Sequence, residues 1–480
     1  MRNDEELAGL TREQLLVVVL EQGMLLEEQG IALTTAQAKI EELATALEEL
    51  RQHGGRGGGP VKTAANSSVP PGKSWKAERR EREAGEAPVK RGPVLGHLGV
   101  TRLVVPAEQV ERVVTCRPTC CHGCGEDLAG TAGRVVGQRQ VIELPPCTPI
   151  ITEAQLLVVC CPHCHTETAG SYPDGFRAPT QFGPRVTALA ALLHEEHHVA
   201  YARMADLFRD AFGLRISEGA LVAAVGRLGL ALQPAAEVIA EEVRTAPVVG
   251  SDETGARVDG ASWWEWVFQT ATAAFHAIVR RRNTAVVLTF LDGAIPAVWI
   301  SDLWKPQLAA PAARYQICLA HQLRDLEYAR QGGHGLAREW ARAMDALLRW
   351  VVRLCHHRAP STLSPPECDA QIAAIHHATD RLLACPLPTS WSADLQARFR
   401  LHRSGLLTCL DDPAVPPTNN ASERSLRPSV VHRKVTGGFR SEHAAAAYAA
   451  TRTVSDTARK RGQNIFTIFL DALAPLPSPT

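Results

Sequence analysis

Hydrophobic positions near the start of the chain recur with a period of seven. One stripe consists of Val19, Leu26, Leu33, Ile40 and Leu47, and most of a second consists of Leu15, Ala36, Leu43 and Leu50. This seam predicts a coiled coil over residues 1–52 through which copies of the chain associate as a homo-oligomer. Gly23 and Gly30 weaken its first half, because glycine disfavours helix. The alternative is an amphipathic helix that packs against its own chain.

After the heptads, the pattern divides the chain into segments of different character. Residues 53–104 show no apolar periodicity and are rich in Gly, Pro and charge, which is typical of a flexible basic linker. The later segments are strand-like alternation in 105–172, helical periodicity in 173–245, short buried strands in 246–328, a helical segment in 329–415 and a basic, mostly helical end in 416–480. The helix-like pattern itself runs from 319 to 410. We therefore predict a multidomain α+β protein.

The helical segment 173–245 contains one pattern with a functional interpretation. From residue 201 to 228 the sequence YARMADLFRDAFGLRISEGALVAAVGRL gives a periodic helix, a break at Gly213, a cap at Ser217 and a second helix. This outline is that of a helix-turn-helix, in which the second helix reads DNA. An ordinary helical hairpin has the same outline, so both interpretations stay open.

Charge is balanced overall but segregated along the chain. The protein has 51 Lys and Arg against 51 Asp and Glu, with 45% hydrophobic residues, which is ordinary globular composition. Residues 1–52 carry 11 acidic and 4 basic side chains, whereas residues 419–462 carry 9 basic and 3 acidic ones. A surface for nucleic acid is therefore expected near the C-terminal end.

The chain also lacks the sequence patterns that lead to a membrane. No run approaches 18 apolar residues, and the start MRNDEELAG does not have the order of a secretory signal. We therefore expect a cytoplasmic protein without a membrane partner.

The 13 cysteines are odd in number and include two Cys-x-x-Cys turns. Cys121 and Cys124 form one turn and Cys161 and Cys164 the other, with strand-like alternation at 134–144 between them. Four such thiolates can bind one structural Zn²⁺ tetrahedrally, as in a zinc ribbon, so we predict a zinc-binding domain over 105–172. A redox pair is the alternative. The ligand set stays open because further candidates lie close by: Cys116, Cys120, Cys160, His122, His163 and His165.

Three carboxylates stand where a site for hard cations is expected. Asp252 and Asp302 follow apolar strands, and Glu423 lies just after a predicted helix start at Asn419. Oxygen ligands suit Mg²⁺, and two such ions serve phosphoryl transfer. Aspartate at the end of a strand is also a common turn former. Asp259 and Asp292, each followed by Gly, are interpreted as turn residues.

These residues, with several others, resemble a transposase of the insertion-sequence-66 family, which has an Asp-Asp-Glu triad on an RNase H-like core. The resemblance covers almost the whole chain. The matching features are SDETGARV at 251–258, NNASERSLRP at 419–428, RKVTGG at 433–438, TARK at 457–460, KRGPVLGH at 90–97, the coiled-coil start and the two Cys-x-x-Cys turns.

The resemblance implies an enzyme that cleaves and transfers DNA strands. It assigns Asp252, Asp302 and Glu423 as the catalytic ligands of Mg²⁺ or Mn²⁺, and it implies element ends, target DNA and accessory proteins of the same element as partners. It also implies an RNase H-like core interrupted by a helical insertion. Cys318 and His321 resemble the family's Cys-x-x-His, to which we assign a structural role. The chain departs from the family in having Leu-Trp-Lys-Pro after Asp302.

Basic residues close to Glu423 gain a function from this context. They could neutralise the backbone of DNA held in the site, or they could belong to an ordinary solvated basic helix. These residues are Arg424, Arg427, Arg433, Lys434 and Arg440. The competing functions are a catalytically inactive DNA-binding relic or regulator, and a nuclease on the same core.

Overall fold

The computed structural model describes residues 104–473, except residue 174 and residues 177–180 and 358–364. The coiled coil predicted for residues 1–52, and the linker predicted for 53–104 up to residue 103, lie outside the described residues. The described part mixes helices with two sheets, in agreement with the predicted α+β class.

The strands are β1 Val158–Cys160, β2 Glu167–Ala169, β3 Val248–Val258, β4 Ala261–Gln269, β5 Ala274–Val279, β6 Val298–Ser301 and β7 Arg314–Ile317. The helices before β3 are α1 Pro184–Ala191, α2 Tyr201–Phe212, α3 Glu218–Ala231 and α4 Gln233–Arg244. The later helices are α5 Thr284–Leu291, α6 Lys305–Leu308, α7 Leu319–Gly332, α8 Gly335–His357, α9 Pro365–Ala384, α10 Trp391–Leu401, α11 Arg403–Leu406, α12 Thr408–Asp411, α13 Asn420–Thr436, α14 Glu442–Lys460 and α15 Ile465–Asp471.

The cysteine-rich region before α1 has little regular structure. Strands β1 and β2 form an antiparallel pair beside the second Cys-x-x-Cys turn. Residues 134–144, for which the alternation predicts a strand, contain none, so that prediction is wrong. Val136 and Val141 in this segment are exposed. The alternating pattern fails here because the segment has neither a partner strand nor a core to cover its apolar side.

Helices α2 and α3 have the predicted break and cap. Helix α2 ends at Gly213, whose φ of 64° is the left-handed conformation that glycine adopts readily. The Ser217 side chain then caps α3 by accepting a hydrogen bond from the Ala220 N–H at 3.2 Å. Beyond its first residue, α3 exposes Gly, Ala, Val and Leu side chains and one cation, Arg227. This face carries little charge for contact with a DNA backbone.

No single helix in the described ranges is long and apolar enough to cross a membrane. Only α3 and α4 taken together, with 44° between them, satisfy that test of length and composition. Both helices also bury one face in the core, for example at Leu228 and Val243.

The large sheet contains five strands in the order β5-β4-β3-β6-β7. Strands β3, β4 and β5 are antiparallel neighbours, and β6 and β7 run parallel to β3. Asp259 and Gly260 join β3 to β4 with φ values of 48° and 70°, as a two-residue type I′ turn requires. Asp292 ends α5 with a φ of 46°. Both aspartates predicted to be turn residues therefore lie at turns.

Side chains of β6 alternate between two cores, as the period of a strand requires. Val298 and Ile300 pack with helices α7 to α12, the helical insertion between β7 and α13. Trp299, on the opposite face, packs with the N-terminal helices and α5. Helix α7 begins at Leu319, directly after β7, where the helix-like pattern of the sequence also begins.

Helix α14 lies inside the molecule and carries buried charges. Every residue from 447 to 458 is buried. Within this run the Arg452 guanidinium pairs with Glu196 at 2.5 Å, and Asp456 lies 3.2 Å from His276. Burying an unpaired charge costs free energy, so α14 can be buried only because these contacts pair its charges.

The contact between α3 and α14 supplies a matched pair of test positions. A Cβ at Gly229 would lie 2.6 Å from the Ala447 Cβ, whereas a Cβ at Gly226 would meet nothing within 4 Å. We expect Gly229→Ala to destabilise the protein by roughly 1–3 kcal/mol through overpacking. Gly226→Ala should stabilise it by roughly 0.5–1 kcal/mol through helix propensity. Denaturant unfolding checks both, and equal effects would contradict this packing.

A second test concerns Glu195, which lies in the π-helical segment Leu192–Glu196 after α1. Burial, together with the charge of Glu196, raises the pKa of Glu195 to about 8. A raised carboxyl pKa contributes stability that is fully present below the unfolded pKa and is lost as the pH rises through the folded pKa. Wild type should therefore lose stability relative to Glu195→Gln between about pH 4.5 and 8. Unfolding free energies measured at pH 5 and 8.5 check this, with Glu237→Gln on the surface of α4 as control.

Candidate active site

Asp252 and Asp302 are brought together by the parallel pairing of β3 with β6. Gly250 pairs with Ile300 at the end of the ladder. Asp252 lies two residues beyond Gly250 on β3, and Asp302 lies two residues beyond Ile300, directly after β6. The negative charge of Asp302 acts on Asp252, so the two carboxylates lie near each other. The Glu253 N–H donates to Asp252 at 2.8 Å and the Trp304 N–H donates to Asp302 at 3.0 Å, which orients each carboxylate.

Glu423 approaches Asp252 from the first turn of α13, close enough for its charge to act on that carboxyl group. Asn419, the residue before this helix, donates from its amide to the Ser251 carbonyl at 2.7 Å, and its backbone N–H donates to the Cys318 thiol at 3.1 Å. A Cβ at Gly250 would lie 3.1 Å from the Asn419 amide oxygen, so a larger residue here would crowd this approach. The predicted structural role of Cys318 fits its contact with α13.

The buried face of α13 is polar, and it fixes the register of the helix on the sheet. Ser422 accepts a hydrogen bond from Gln269 at 2.8 Å. Ser429 donates to Glu265 at 2.7 Å and accepts from the Tyr448 hydroxyl at 2.9 Å. A shift of one turn would break these bonds and leave buried polar groups unpaired. The position of Glu423 over the sheet is therefore set by hydrogen bonds made elsewhere on its helix.

Two side chains of α7 approach the Glu423 carboxylate. Arg324 lies 3.2 Å from Glu423 Oε1, and the Nε2 atom of His321 lies 3.8 Å from the same oxygen. Burial and the charge of Arg324 lower the pKa of His321. The members of the candidate triad therefore have different electrostatic surroundings. Glu423 has a cationic neighbour, whereas Asp252 is surrounded by carboxylates.

The electrostatics of Asp252 show a local excess of negative charge. Burial, followed by the charge of Glu253 and those of Asp302 and Glu423, raises the pKa of Asp252 well above its ordinary range. A carboxyl group in this situation is neutralised by a proton or by a cation. The site is therefore suited to a positively charged ligand.

Sequence reasoning missed a clamp beside the aspartates. Arg282 donates to Glu253 from Nε at 3.0 Å and from Nη2 at 2.8 Å, and Gln307 donates to the other carboxylate oxygen at 2.8 Å. The Arg282 guanidinium lies between the rings of Trp264 and Trp304, 4.4 and 4.2 Å from their centroids. This clamp joins β3 to the segment that follows Asp302. The sequence showed one member of this clamp, the carboxylate of Glu253 directly after Asp252. The residues that bind this carboxylate come from distant segments, so they could not be found in the same way.

The predicted DNA-contacting residues lie along α13 and just after it. Arg424, Arg427 and Lys434 are exposed at helical spacing on the outer side of α13, and Arg440 is exposed beyond its end. Arg433 is half-buried, and its guanidinium lies so close to β3 that a Cβ at Gly255 would be 3.3 Å away. Four of the five can therefore meet a ligand directly, and Arg433 lies against the sheet.

The chemistry of the donors fits a hard divalent cation, but their present positions do not yet chelate one. Asp252, Asp302 and Glu423 supply carboxylate oxygens, the ligands that Mg²⁺ and Mn²⁺ prefer. In the described part of the chain, no group of three His, Cys, Asp or Glu side chains already has the geometry to hold a metal ion. Closing the site would therefore require Glu423 or its neighbours to move.

The two Cys-x-x-Cys turns are built alike. The Gly125 N–H donates to the Cys121 carbonyl and the His165 N–H to the Cys161 carbonyl, each at 2.9 Å. The Gly123 N–H lies 3.4 Å from the Cys121 sulfur, and hydrogen bonds of this kind lower the pKa of Cys121. Hydrogen bonds with Thr166 likewise lower the pKa of Cys164. One thiol in each turn therefore has a lowered pKa, but the four thiols are not gathered into one cluster among the described residues.

Comparison with known proteins places this chain among the transposases. A family model described as transposase IS66 family matches residues 179–447, which span the helices α1 to α4, the large sheet, the insertion and α13. Since the match covers more than half of the 480 residues, the chain belongs to the IS66 transposase family. A comparison with curated proteins found no match. The predicted family is therefore confirmed, and with it a DNA-acting enzyme in the general sense.

The zinc hypothesis generates a direct test. Because two Cys-x-x-Cys turns can supply four thiolates, we expect about one zinc ion per chain. The double variant Cys121→Ser with Cys161→Ser should lose that ion, whereas Cys147→Ser, outside both turns, should keep it. Metal analysis of protein purified under reducing conditions checks this. A wild-type protein without zinc would contradict the hypothesis.

Proposed function

We propose that this transposase cleaves DNA strands at the ends of its insertion sequence and joins the freed ends to target DNA. The observation that carries the proposal is the parallel pairing of β3 with β6, which brings the segment of Asp252 beside that of Asp302, while Asn419 holds the start of the Glu423 helix against Ser251. These three residues are the proposed catalytic triad and the proposed ligands of Mg²⁺ or Mn²⁺.

The architecture of the sheet supports an RNase H-like core. Three antiparallel strands are extended by two that run parallel to the first; Asp252 lies within the first strand, just past its pairing with the fourth, and Asp302 directly follows the fourth strand. The helical insertion between β7 and α13 separates Asp302 from Glu423 along the sequence, while packing returns α13 to β3. This arrangement agrees with the interrupted core that the family resemblance implies.

The protein's own groups would bind, orient and shield the reacting DNA. When bound, the divalent ions would supply activation of a water or 3′-hydroxyl nucleophile and stabilisation of the leaving oxygen. The backbone N–H groups of Glu253 and Trp304 hold the two aspartates in position. Arg424, Arg427 and Lys434 would neutralise the DNA backbone beside the site, with Arg440 extending this surface. Arg433 would act mainly by supporting β3.

The remaining parts of the chain have proposed roles in assembly. The heptads at 1–52 would associate copies of the chain, and zinc bound by Cys121, Cys124, Cys161 and Cys164 would stabilise the region at 105–172. Because α3 exposes little charge, DNA reading by the α2–α3 pair has weaker support than contact through α13. We further propose that the protein acts in the cytoplasm, with accessory proteins of its element as additional partners.

Amide substitution tests the triad. Asp252→Asn, Asp302→Asn and Glu423→Gln keep size but remove the charge that holds a divalent ion, so each should lower single-turnover strand cleavage at least about 100-fold. DNA binding should remain, because it depends on basic residues elsewhere. The measurement is cleavage of element-end DNA with Mg²⁺ or Mn²⁺, alongside binding to the same DNA.

Asp259→Asn and Asp292→Asn are matched controls. Both positions have positive φ, which asparagine also tolerates, so these variants should cleave like wild type. Full activity in any triad variant would remove that residue from the site. Cleavage without joining would favour a nuclease, and binding without any cleavage by wild type would favour a relic or regulator.

A further inference from the structure

Arg324 has a position that the proposed chemistry does not yet explain. It lies on α7, one turn after His321, and its guanidinium Nη2 is 3.2 Å from Glu423 Oε1. Its Nε contacts the Ala320 carbonyl at 3.4 Å, within its own helix. The side chain is 25% exposed, so its outer end borders the open side of the site.

Helices α7 and α13 are firmly joined where this ion pair forms. The thiol of Cys318, at the start of α7, accepts the backbone N–H of Asn419, at the start of α13. The Leu319 N–H also donates to the Pro417 carbonyl at 3.0 Å. Because the starts of both helices are fixed, the contact can change only through movement of the long Arg324 side chain and of the end of the Glu423 side chain.

A guanidinium and a divalent cation compete for the same carboxylate. Both need the lone pairs of Glu423, and two positive charges side by side repel each other. The described residues contain no ready-made group of three metal-binding side chains, and Glu423 is the triad member held by an arginine. An arginine on Oε1 of Glu423 and a divalent cation on the same carboxylate therefore disfavour each other.

We propose that Arg324 is a placeholder cation: its guanidinium neutralises Glu423 in the free protein and moves to a phosphate of the bound strand when Glu423 turns to the metal. This inference rests on the proposed function of the triad. The ion pair is partly exposed, and such pairs are weak enough to be exchanged. The planar guanidinium is also well suited to a phosphate, which would be the nearest new anion in a site that holds DNA.

The first test is Mn²⁺ binding by full-length protein without DNA, measured by calorimetry or electron paramagnetic resonance. We expect Arg324→Gln to bind Mn²⁺ about 3–10-fold more tightly than wild type, because the competing charge is gone. Arg324→Lys, which keeps the charge, should remain within about twofold of wild type. Arg330→Gln is the control on the same helix, since Arg330 pairs with Glu327 at 2.6 Å. Thermal unfolding confirms that each variant is folded.

The second test separates the placeholder role from a purely inhibitory one. At saturating Mn²⁺, Arg324→Gln should cleave element-end DNA at least about 30-fold more slowly than wild type, and Arg324→Lys should recover part of that loss. Unchanged or weaker Mn²⁺ binding by Arg324→Gln would overturn the proposal, as would tighter binding combined with undiminished cleavage.

Failure of the triad assignment gives a different result. Wild type and Glu423→Gln would then bind Mn²⁺ equally, or neither would bind it, and both proposals would be overturned. If Glu423→Gln weakens Mn²⁺ binding while Arg324→Gln leaves it unchanged, only the role of Arg324 is overturned.

Discussion

The candidate site depends on the parallel pairing of β3 and β6 and on the way α13 is fastened across them. The pairing that ends at Gly250 and Ile300 brings Asp252 and Asp302, each two residues further along its segment, near each other. Asn419 then binds the backbone of β3 through its side chain and the end of β7 through the Cys318 thiol. Because the backbone of the sheet is rigid, these contacts restrict Glu423 to a small region above the aspartates. The relative positions of Asp252, Asp302 and Glu423, the acidic cluster, therefore depend on the register of the strands and on the start of α13.

Buried charge connects this site to the N-terminal helices. Glu265 on β4 contacts Ser429 of α13 and His276 of β5, and His276 contacts Asp456 of α14. From α14, Arg452 reaches Glu196 in the π-helical segment. Paired and hydrogen-bonded charges in a low-dielectric interior leave few alternative arrangements, because each broken contact exposes an unpaired charge. The network therefore favours a single placement of α13 and α14 on the sheet.

Charge is arranged in layers around the acidic cluster. Asp252 and Glu253 lie within β3 and Asp302 directly after β6. The Arg282 clamp pairs with Glu253 from one side, and Arg324 approaches Glu423 from α7. Outside them, the exposed cations of α13 form a basic surface. An acidic centre bordered by basic residues can attract a polyanion while it keeps carboxylate ligands for cations. Zero net charge over the whole chain conceals this arrangement, since the acidic excess of residues 1–52 balances the basic end.

The sequence by itself determined the features that depend on neighbouring residues. The break at Gly213, the cap at Ser217 and the turns at Asp259 and Asp292 follow from local backbone preferences, and the structure has them where predicted. The family could also be recognised from the sequence, because its motifs are short and contiguous. Alternation at 134–144 gave a wrong strand, because a strand exists only when another strand pairs with it.

Tertiary structure alone decided what joins distant residues. Nothing in the sequence pairs Arg282 with Glu253, places Arg324 beside Glu423, or brings Glu196 to Arg452, since these contacts span 29, 99 and 256 residues. They depend on the register of the strands and on how the insertion returns the chain to the sheet. Such long-range geometry arises from packing and from the pairing of buried charges, which no local pattern encodes.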